Sequence, residues 1–341
     1  MEKSIEEIAR ETMPRICILG LGGAGGNIVT WMTEKEAVGV KTIALDASAQ
    51  DLVVAKADEK ILLGYEVTGG LGCGGRPEVG SEAARNSLTD IVRVLTGSKL
   101  VFIAAGLGGG TGTGSAPIVA KAAKELGALT IGVVTLPFAV ESVRKEKAKT
   151  GLKRLSNESD AVVVIDNNRL RKVAGSRPLK EAFAVANELI ASFIKNLSET
   201  IAMPSLMNMD FADLRSIMVG GGVCAIGVGE GLGDTKVRDA VEEALSTQLL
   251  DITDISEAEG ALIHVEGGDD MTLDDINQAA EYVLNQISPG AKASWGARVN
   301  NRMTGSVRVT LVLTGVSRFL VEPKPKKELD EIKGAIVFSK E

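Results

Sequence analysis

Short apolar runs alternate along this chain with longer stretches in which apolar residues return every three or four positions. The runs are Arg15–Leu19, Val40–Leu45, Leu100–Ala105, Leu129–Val134 and Ala161–Ile165. Nearly unbroken hydrophobicity over five or six residues marks a strand buried on both faces. Between the runs, Asn27–Lys35, Ser81–Leu95, Ser115–Leu126 and Ser142–Leu155 carry helical spacing. Such strands alternating with helices predict a parallel sheet covered on both sides.

The rhythm changes at Pro178. Leu179, Phe183, Ala186, Ile190, Phe193 and Leu197 recur at spacings of four and three over 178–201. This predicts one long amphipathic helix, opened by a residue suited to a first turn, as a spine between two domains. A second α/β region follows. Val223–Val228 and Ala261–Val265 read as strands, Asp234–Leu245 and Leu273–Ile287 as helices, and Ala293–Val299 and Ser306–Thr314 as the last strands. Residues 321–341 are rich in Lys and Glu and hold Pro323 and Pro325, which predicts a mobile tail.

Composition narrows the function classes. A chain of 341 residues suggests two domains, and 45% hydrophobic with 24% charged residues fits a folded soluble protein. The net charge of −7 argues against nucleic acid as a partner. Cys17, Cys73 and Cys224 are scattered without CxxC spacing, and His264 is the one histidine, so no protein-built metal site is expected. Their usage fits a reducing cytoplasm. No apolar run reaches the roughly 20 residues of a membrane span, so no direct membrane insertion is expected.

The 39 glycines are concentrated in loops. Gly20–Asn27, GLGGAGGN, follows the first run and contains GxGxxG, with Asp46 at the end of the next strand. Alone, that pattern fits a dinucleotide-binding turn with its ribose acid, or simply a tight strand–helix turn. A second loop, Gly106–Pro117, GLGGGTGTGSAP, changes this. Glycine lets backbone N–H groups approach an anion, Thr111 and Thr113 can add hydroxyls, and the next helix adds its positive end. Two such loops suit a triphosphate chain better than one pyrophosphate. No GxxxxGK[ST] occurs, so this is not a P-loop. A third cluster, Gly69–Pro77, could close over a terminal phosphate or be a plain surface loop.

GGGTGTGSAP (Gly108–Pro117) resembles the GGGTG[ST]G signature of the tubulin/FtsZ family, and the resemblance runs over about residues 14–317. Ile18–Asn27 is similar to its first phosphate loop, Gly70–Gly80 to the loop over the γ-phosphate, Val133–Phe138 with Glu141 and Arg144 to its ribose loop. Asn208–Met218, NMDFADLRSIM, is similar to its catalytic loop, and Gly260–Leu273 and Ser306–Val316 to its C-terminal domain. The wording is closer to FtsZ, of an archaeal kind, than to eukaryotic tubulin.

The resemblance implies an α/β fold with an N-terminal parallel-sheet, Rossmann-like GTPase domain (1–177), a central helix (178–202), a smaller α/β GTPase-activating domain (203–317) and a tail (318–341). It implies GTP and GDP as ligands, with Mg²⁺ bound through the phosphates. Gly22, Gly23, Ala24, Asn27, Asp46, Gln50, Cys73, Gly74, Gly75, Gly108, Gly109, Gly110, Thr111, Gly112 and Thr113 would hold the phosphates. Pro137, Glu141 and Arg144 would hold the ribose and phosphates, and Asn167, Phe183 and Asn187 the base. Asn208, Asp210 and Asp213 would complete the neighbouring subunit's site, making hydrolysis depend on a head-to-tail homopolymer. It further implies a cell-division scaffold at the division plane with a membrane-tethering adaptor.

Three departures stand out. Leu45–Gln50 reads LDASAQ where the family usually has NTDAQ after the strand, so Asp46 replaces Asn and Ser48 replaces Asp. The ribose loop is one residue short, and Ser205 replaces a glycine. A cell-shape filament, a nucleotide sensor without turnover, and an NAD enzyme remain the rival readings.

Overall fold

The computed structural model describes residues 14–35, 39–169, 178–202, 211–246 and 255–316, and within 178–202 the side chains only in part. Ten strands form one sheet in the order β3-β2-β1-β4-β5-β6-β7-β10-β8-β9. The first half is β1 (Ile16–Leu21), β2 (Val40–Asp46), β3 (Glu59–Leu62), β4 (Leu100–Gly106), β5 (Leu129–Leu136) and β6 (Ala161–Asp166), all parallel. The second half is β7 (Gly222–Leu232), β8 (Gly260–Gly267), β9 (Lys292–Val299) and β10 (Ser306–Thr314). β10 runs antiparallel to both β7 and β8, while β8 and β9 are parallel.

Among the described residues the helices of six or more residues are α1 (Gly22–Glu34), α2 (Ala49–Val54), α3 (Pro77–Asn86), α4 (Leu88–Leu95), α5 (Thr111–Glu125), α6 (Ser142–Glu158), α7 (Leu179–Ala202), α8 (Phe211–Met218), α9 (Lys236–Ser246) and α10 (Leu273–Leu284). Alternation along the buried strands divides them between two cores. Cys17, Leu19 and Leu21 of β1 join the core under α3–α6, which continues under α9 and α10. Ile16 and Ile18 join the opposite core, shared with α1, α7 and α8.

Four details depart from the periodicity. The helix expected over 81–95 is two helices meeting at Ser87, whose hydroxyl accepts the Gly64 N–H at 2.9 Å and ties the bend to the turn after β3. α1 and α5 begin earlier than Asn27 and Ser115, because the glycine segments are themselves first helical turns. The short β3, EKIL, has no apolar run to announce it, because Glu59 on this edge strand pairs with Lys41 and Arg93. β7 serves two neighbours: Gly222–Cys224 pair with β6 and Ala225–Leu232 with β10. One strand thus carries the sheet from the first half to the second.

The long central helix is present as α7. Ile190, Phe193 and Leu197 of its predicted face are buried, whereas the side chains of Leu179, Phe183 and Ala186 lie outside the description. Phe193 meets the fully buried Phe102 of β4 edge to face, with centroids 6.5 Å apart. Edge-to-face geometry adds to the area buried by the two rings. Phe102→Ala should therefore cost about 3–5 kcal/mol of stability. Urea unfolding checks this, and a loss below about 1 kcal/mol would show that α7 does not depend on this ring.

Candidate nucleotide site

The carboxyl ends of β1, β2 and β4 surround an open cavity of about 790 Å³. This is where an open parallel α/β sheet places its ligands. Gly22, Gly23 and Ala24 at the start of α1 and Thr111 and Gly112 at the start of α5 all line it. Neither helix has a side-chain cap or an acidic residue in its first turn. Their leading N–H groups are left to a ligand, and both positive helix ends meet in one space.

The glycines divide by what stands beside them. A Cβ on Gly25 would sit 2.3 Å from the Ala104 carbonyl oxygen, and one on Gly114 would sit 2.0 Å from that of Pro77. These glycines let α1 press on β4 and α5 on α3. A Cβ on Gly23 or Gly109 would meet nothing within 4 Å. Both line the cavity, and there the bare backbone faces ligand space.

The loop after β2 and the third glycine cluster are joined. Gly72 donates to the Ala47 carbonyl and Ala49 to that of Gly70, both at 2.9 Å, and Lys147 of α6 donates to the Gly75 carbonyl at 2.7 Å. Ser48 caps α2 by accepting the Asp51 N–H. Asp46 is 5% exposed, and its Oδ1 accepts from the Ser48 N–H at 3.1 Å and lies 3.2 Å from the Thr111 hydroxyl. Burial pushes its carboxyl above the usual range, against the lowering effect of the Ser48 N–H.

On the opposite rim, Glu141 accepts the Phe138 N–H at 3.1 Å and holds Arg144 by an ion pair at 2.6 Å. The shortened ribose loop therefore still brings Glu141 and Arg144 to the cavity, one helical turn apart. Asn167 and Asn187 line the same space.

Most of the expected residues thus come together: Gly22, Gly23, Ala24, Asn27, Asp46, Cys73, Gly75, Gly109, Gly110, Thr111, Gly112, Pro137, Glu141, Arg144, Asn167 and Asn187. Four do not line the cavity. Thr113 is buried and its hydroxyl accepts the Gly108 N–H at 2.8 Å, so this pair locks the loop, and neither residue lines the cavity. Gln50 and Gly74 are exposed and outside the lining. The Phe183 side chain, and Asn208 and Asp210 entirely, lie outside the described residues. Ser48, Asp51, Thr135 and Phe138 also line the cavity, and none of them was expected among the residues that hold the nucleotide. All four sit within or next to the LDASAQ and VVTLPF segments, so their position beside those motifs was the available signal.

Asp213 is exposed on α8 and does not line this cavity. α8 leads into β7, whose Gly222 pairs with Ala161 at the start of β6. It therefore sits toward the amino ends of these strands, opposite the cavity.

Residues 15–175 match the Tubulin/FtsZ family GTPase domain, and residues 222–317 match the FtsZ family C-terminal domain. The chain belongs to the tubulin/FtsZ family. It is 46% identical over 325 residues to cell division protein FtsZ 2 of Methanocaldococcus jannaschii, covering 93% of this chain and 85% of that one. It is 43% identical to cell division protein FtsZ 1 of Pyrococcus furiosus, over 97% of this chain and 88% of that one. A solved structure titled as an empty FtsZ dimer from M. jannaschii superposes with a TM-score of 0.86 at 43% identity, over 92% of this chain and 93% of that one. The fold is accordingly the FtsZ arrangement, with a GTPase domain, a central helix and a smaller C-terminal α/β domain.

Asp46 gives this site a testable signature. Its pKa is raised in the folded protein, so the contribution of its protonated form is present below the ordinary value of 3.8 and is lost as pH rises through the raised value. Asn at this position keeps an acceptor for Ser48 and Thr111 without the buried charge. Asp46→Asn should raise the nucleotide-free Tm at pH 7 by on the order of 2–4 °C, a gain that shrinks toward pH 4. Scanning calorimetry across this range is the check, and a gain independent of pH would show that the carboxylate charge is not its cause.

Proposed function

We propose that this chain binds and hydrolyses GTP while stacking head to tail into filaments that serve as a cell-division scaffold at the division plane. The observation that carries this reading is the placement of two uncapped helix N-termini in one cavity while Asp213 stands at the other end of the sheet. A subunit holding its nucleotide at one end and a candidate water-positioning carboxylate at the other suits a site completed by the next copy.

Backbone N–H groups of α1 and α5 bind the phosphates, and their fixed dipoles favour the charge that develops on phosphoryl transfer. Arg144, held by Glu141, faces the ribose and phosphates with a charge-assisted donor. Asn167 and Asn187 each offer both a donor and an acceptor to a base edge, as guanine requires. Stacking on that base is the role that the family resemblance gives Phe183. Asp213, with Asn208 and Asp210, orients the attacking water in the site of the adjoining subunit.

Asp46, Asp51 and the Thr111 hydroxyl are hard oxygen donors at the phosphate end, a set that fits Mg²⁺ alongside phosphate oxygens. Such an ion would neutralise phosphate charge. Leu71 and Val140, at 89% and 90% exposure, stand on the cavity rim and suit a face that a second copy covers. A membrane-tethering adaptor would be a further partner. No described helix is long and apolar enough to cross a membrane.

The decisive experiment measures GTP turnover per subunit against protein concentration, with sedimentation in parallel. Turnover should rise steeply above a threshold at which the protein pellets. Asp213→Ala should lower it by at least about 100-fold while GTP binding persists. A rate independent of concentration, or unchanged in Asp213→Ala, would overturn the shared site. Binding without turnover at any concentration would favour a nucleotide sensor.

A further inference from the structure

The third glycine cluster, Gly69–Pro77, is fastened on three sides. Toward β2 the ties are backbone bonds: Gly72 donates to the Ala47 carbonyl, Ala49 donates to that of Gly70, and Leu71 forms an antiparallel bridge with Ser48. Beneath the cluster lies the start of α5. A Cβ on Gly110 would sit 2.6 Å from that of Cys73 and 3.0 Å from the Arg76 nitrogen, so the cluster rests on the bare backbone of the second loop. The Thr111 hydroxyl lies 3.4 Å from the Cys73 sulfur. Gly72, Cys73 and Gly75 thus wall the cavity beside the N–H groups that open α5.

The third side is α6, which meets the glycine loops at successive turns. The Arg144 backbone stands behind Gly108, where a Cβ would fall 2.8 Å from the Arg144 carbonyl oxygen. One turn on, the Lys147 ammonium donates to the Gly75 carbonyl at 2.7 Å. One turn further, the bare Gly151 makes room for the Thr113 methyl group. Spacings of three and four place these positions on one side of the helix. The acceptor Gly75 and its neighbour Gly74 both have left-handed backbones, at φ +70° and +57°. Glycine loses the most conformational freedom on ordering, so a tie at this turn decides whether the loop stays shut. The tie is charge-assisted, and stronger for that. Lys147 is half-buried and outside the cavity lining, so its ammonium stands behind the loop and not in ligand space.

We propose that Lys147 is a positioning residue that clasps the Gly69–Pro77 loop shut at the phosphate end of the cavity, and thereby sets the preference of the site for a nucleoside triphosphate over a diphosphate. The inference rests on the nucleotide reading given above. A diphosphate on the α1 and α5 N-termini leaves the wall of Gly72, Cys73 and Gly75 unused, whereas a third phosphate uses it. A clasped loop meets that phosphate already ordered, with a positive charge close behind. An unclasped loop has to be ordered as the ligand binds, which weakens the triphosphate alone.

The test compares the full chain with Lys147→Met, which keeps an unbranched stem and removes the ammonium, and Lys147→Arg, which keeps a cationic donor. The first readout is the rate at which a maleimide labels Cys73 in the nucleotide-free protein, Cys17 and Cys224 being fully buried. Lys147→Met should label at least about fivefold faster, and Lys147→Arg within about twofold of the parent. The second readout is calorimetric affinity for GTPγS and for GDP, with magnesium, below the concentration at which the protein pellets. Lys147→Met should weaken GTPγS at least about fivefold and GDP by less than about twofold, with both values restored in Lys147→Arg. Unchanged labelling in Lys147→Met, equal loss of both nucleotides, or an arginine variant that behaves like the methionine one would each overturn the proposal while leaving the nucleotide reading in place. A parent chain that binds neither nucleotide would overturn that reading, and the triphosphate preference with it.

Discussion

Two helix ends must enter the same few ångströms of space at the carboxyl edge of a parallel sheet, and much of the N-terminal half is arranged around that requirement. Backbone dipoles attract an anion only if their N–H groups are uncovered and close. That closeness excludes side chains at the strand–helix corners. Gly25 lies against the β4 backbone, Gly114 lies against α3, and Gly23 and Gly109 leave the cavity open. The same residue type thus serves packing at some positions and ligand access at others. The consequence extends to Thr113 and Gly108, whose mutual hydrogen bond holds the second loop in shape without touching the cavity.

The two halves of the molecule are joined by more than a connecting helix. β7 pairs with β6 through its first three residues and with β10 through the rest, so one hydrogen-bonded sheet spans the chain. α7 lies over one face of this sheet and shares a core with β4, β6, β7, β8 and β10. Within that core Phe102 of β4 meets Phe193 of α7 edge to face. Where this apolar seam ends, the C-terminal strands carry a charged rung of Glu230, Arg308, Glu266 and Arg298. The boundary between the halves is therefore dry along one stretch and electrostatic along the next.

The departures from the family pattern are resolved locally. Ser48, standing where an Asp is usual, still caps α2. Asp46, standing where an Asn is usual, keeps the acceptor but brings a buried charge to the phosphate end. The shortened ribose loop leaves Glu141 and Arg144 three residues apart, which on a helix start is still within reach for an ion pair. The third departure, Ser205, lies outside the described residues.

By itself the sequence determined the alternation of buried strands and helices, the long α7, the glycine-rich strand ends and the family that these motifs resemble. Such features are local: a run of apolar residues, a spacing of three or four, and a signature of ten residues each report on their own neighbourhood. Edge strand β3 and the break at Ser87 were not legible, because ion pairs and a distant N–H from Gly64 decide them. The tertiary structure alone decided which loop donors reach the cavity. It removed Thr113 and Gly108 from the lining, added Ser48 and Asp51, and set α8 at the far end of the sheet. It alone also assembled the charged rung of Glu230, Arg308, Glu266 and Arg298, whose residues come from four strands far apart in the chain. Sequence spacing carries no information about such meetings, because they depend on sheet order and on which face each strand turns to the central helix.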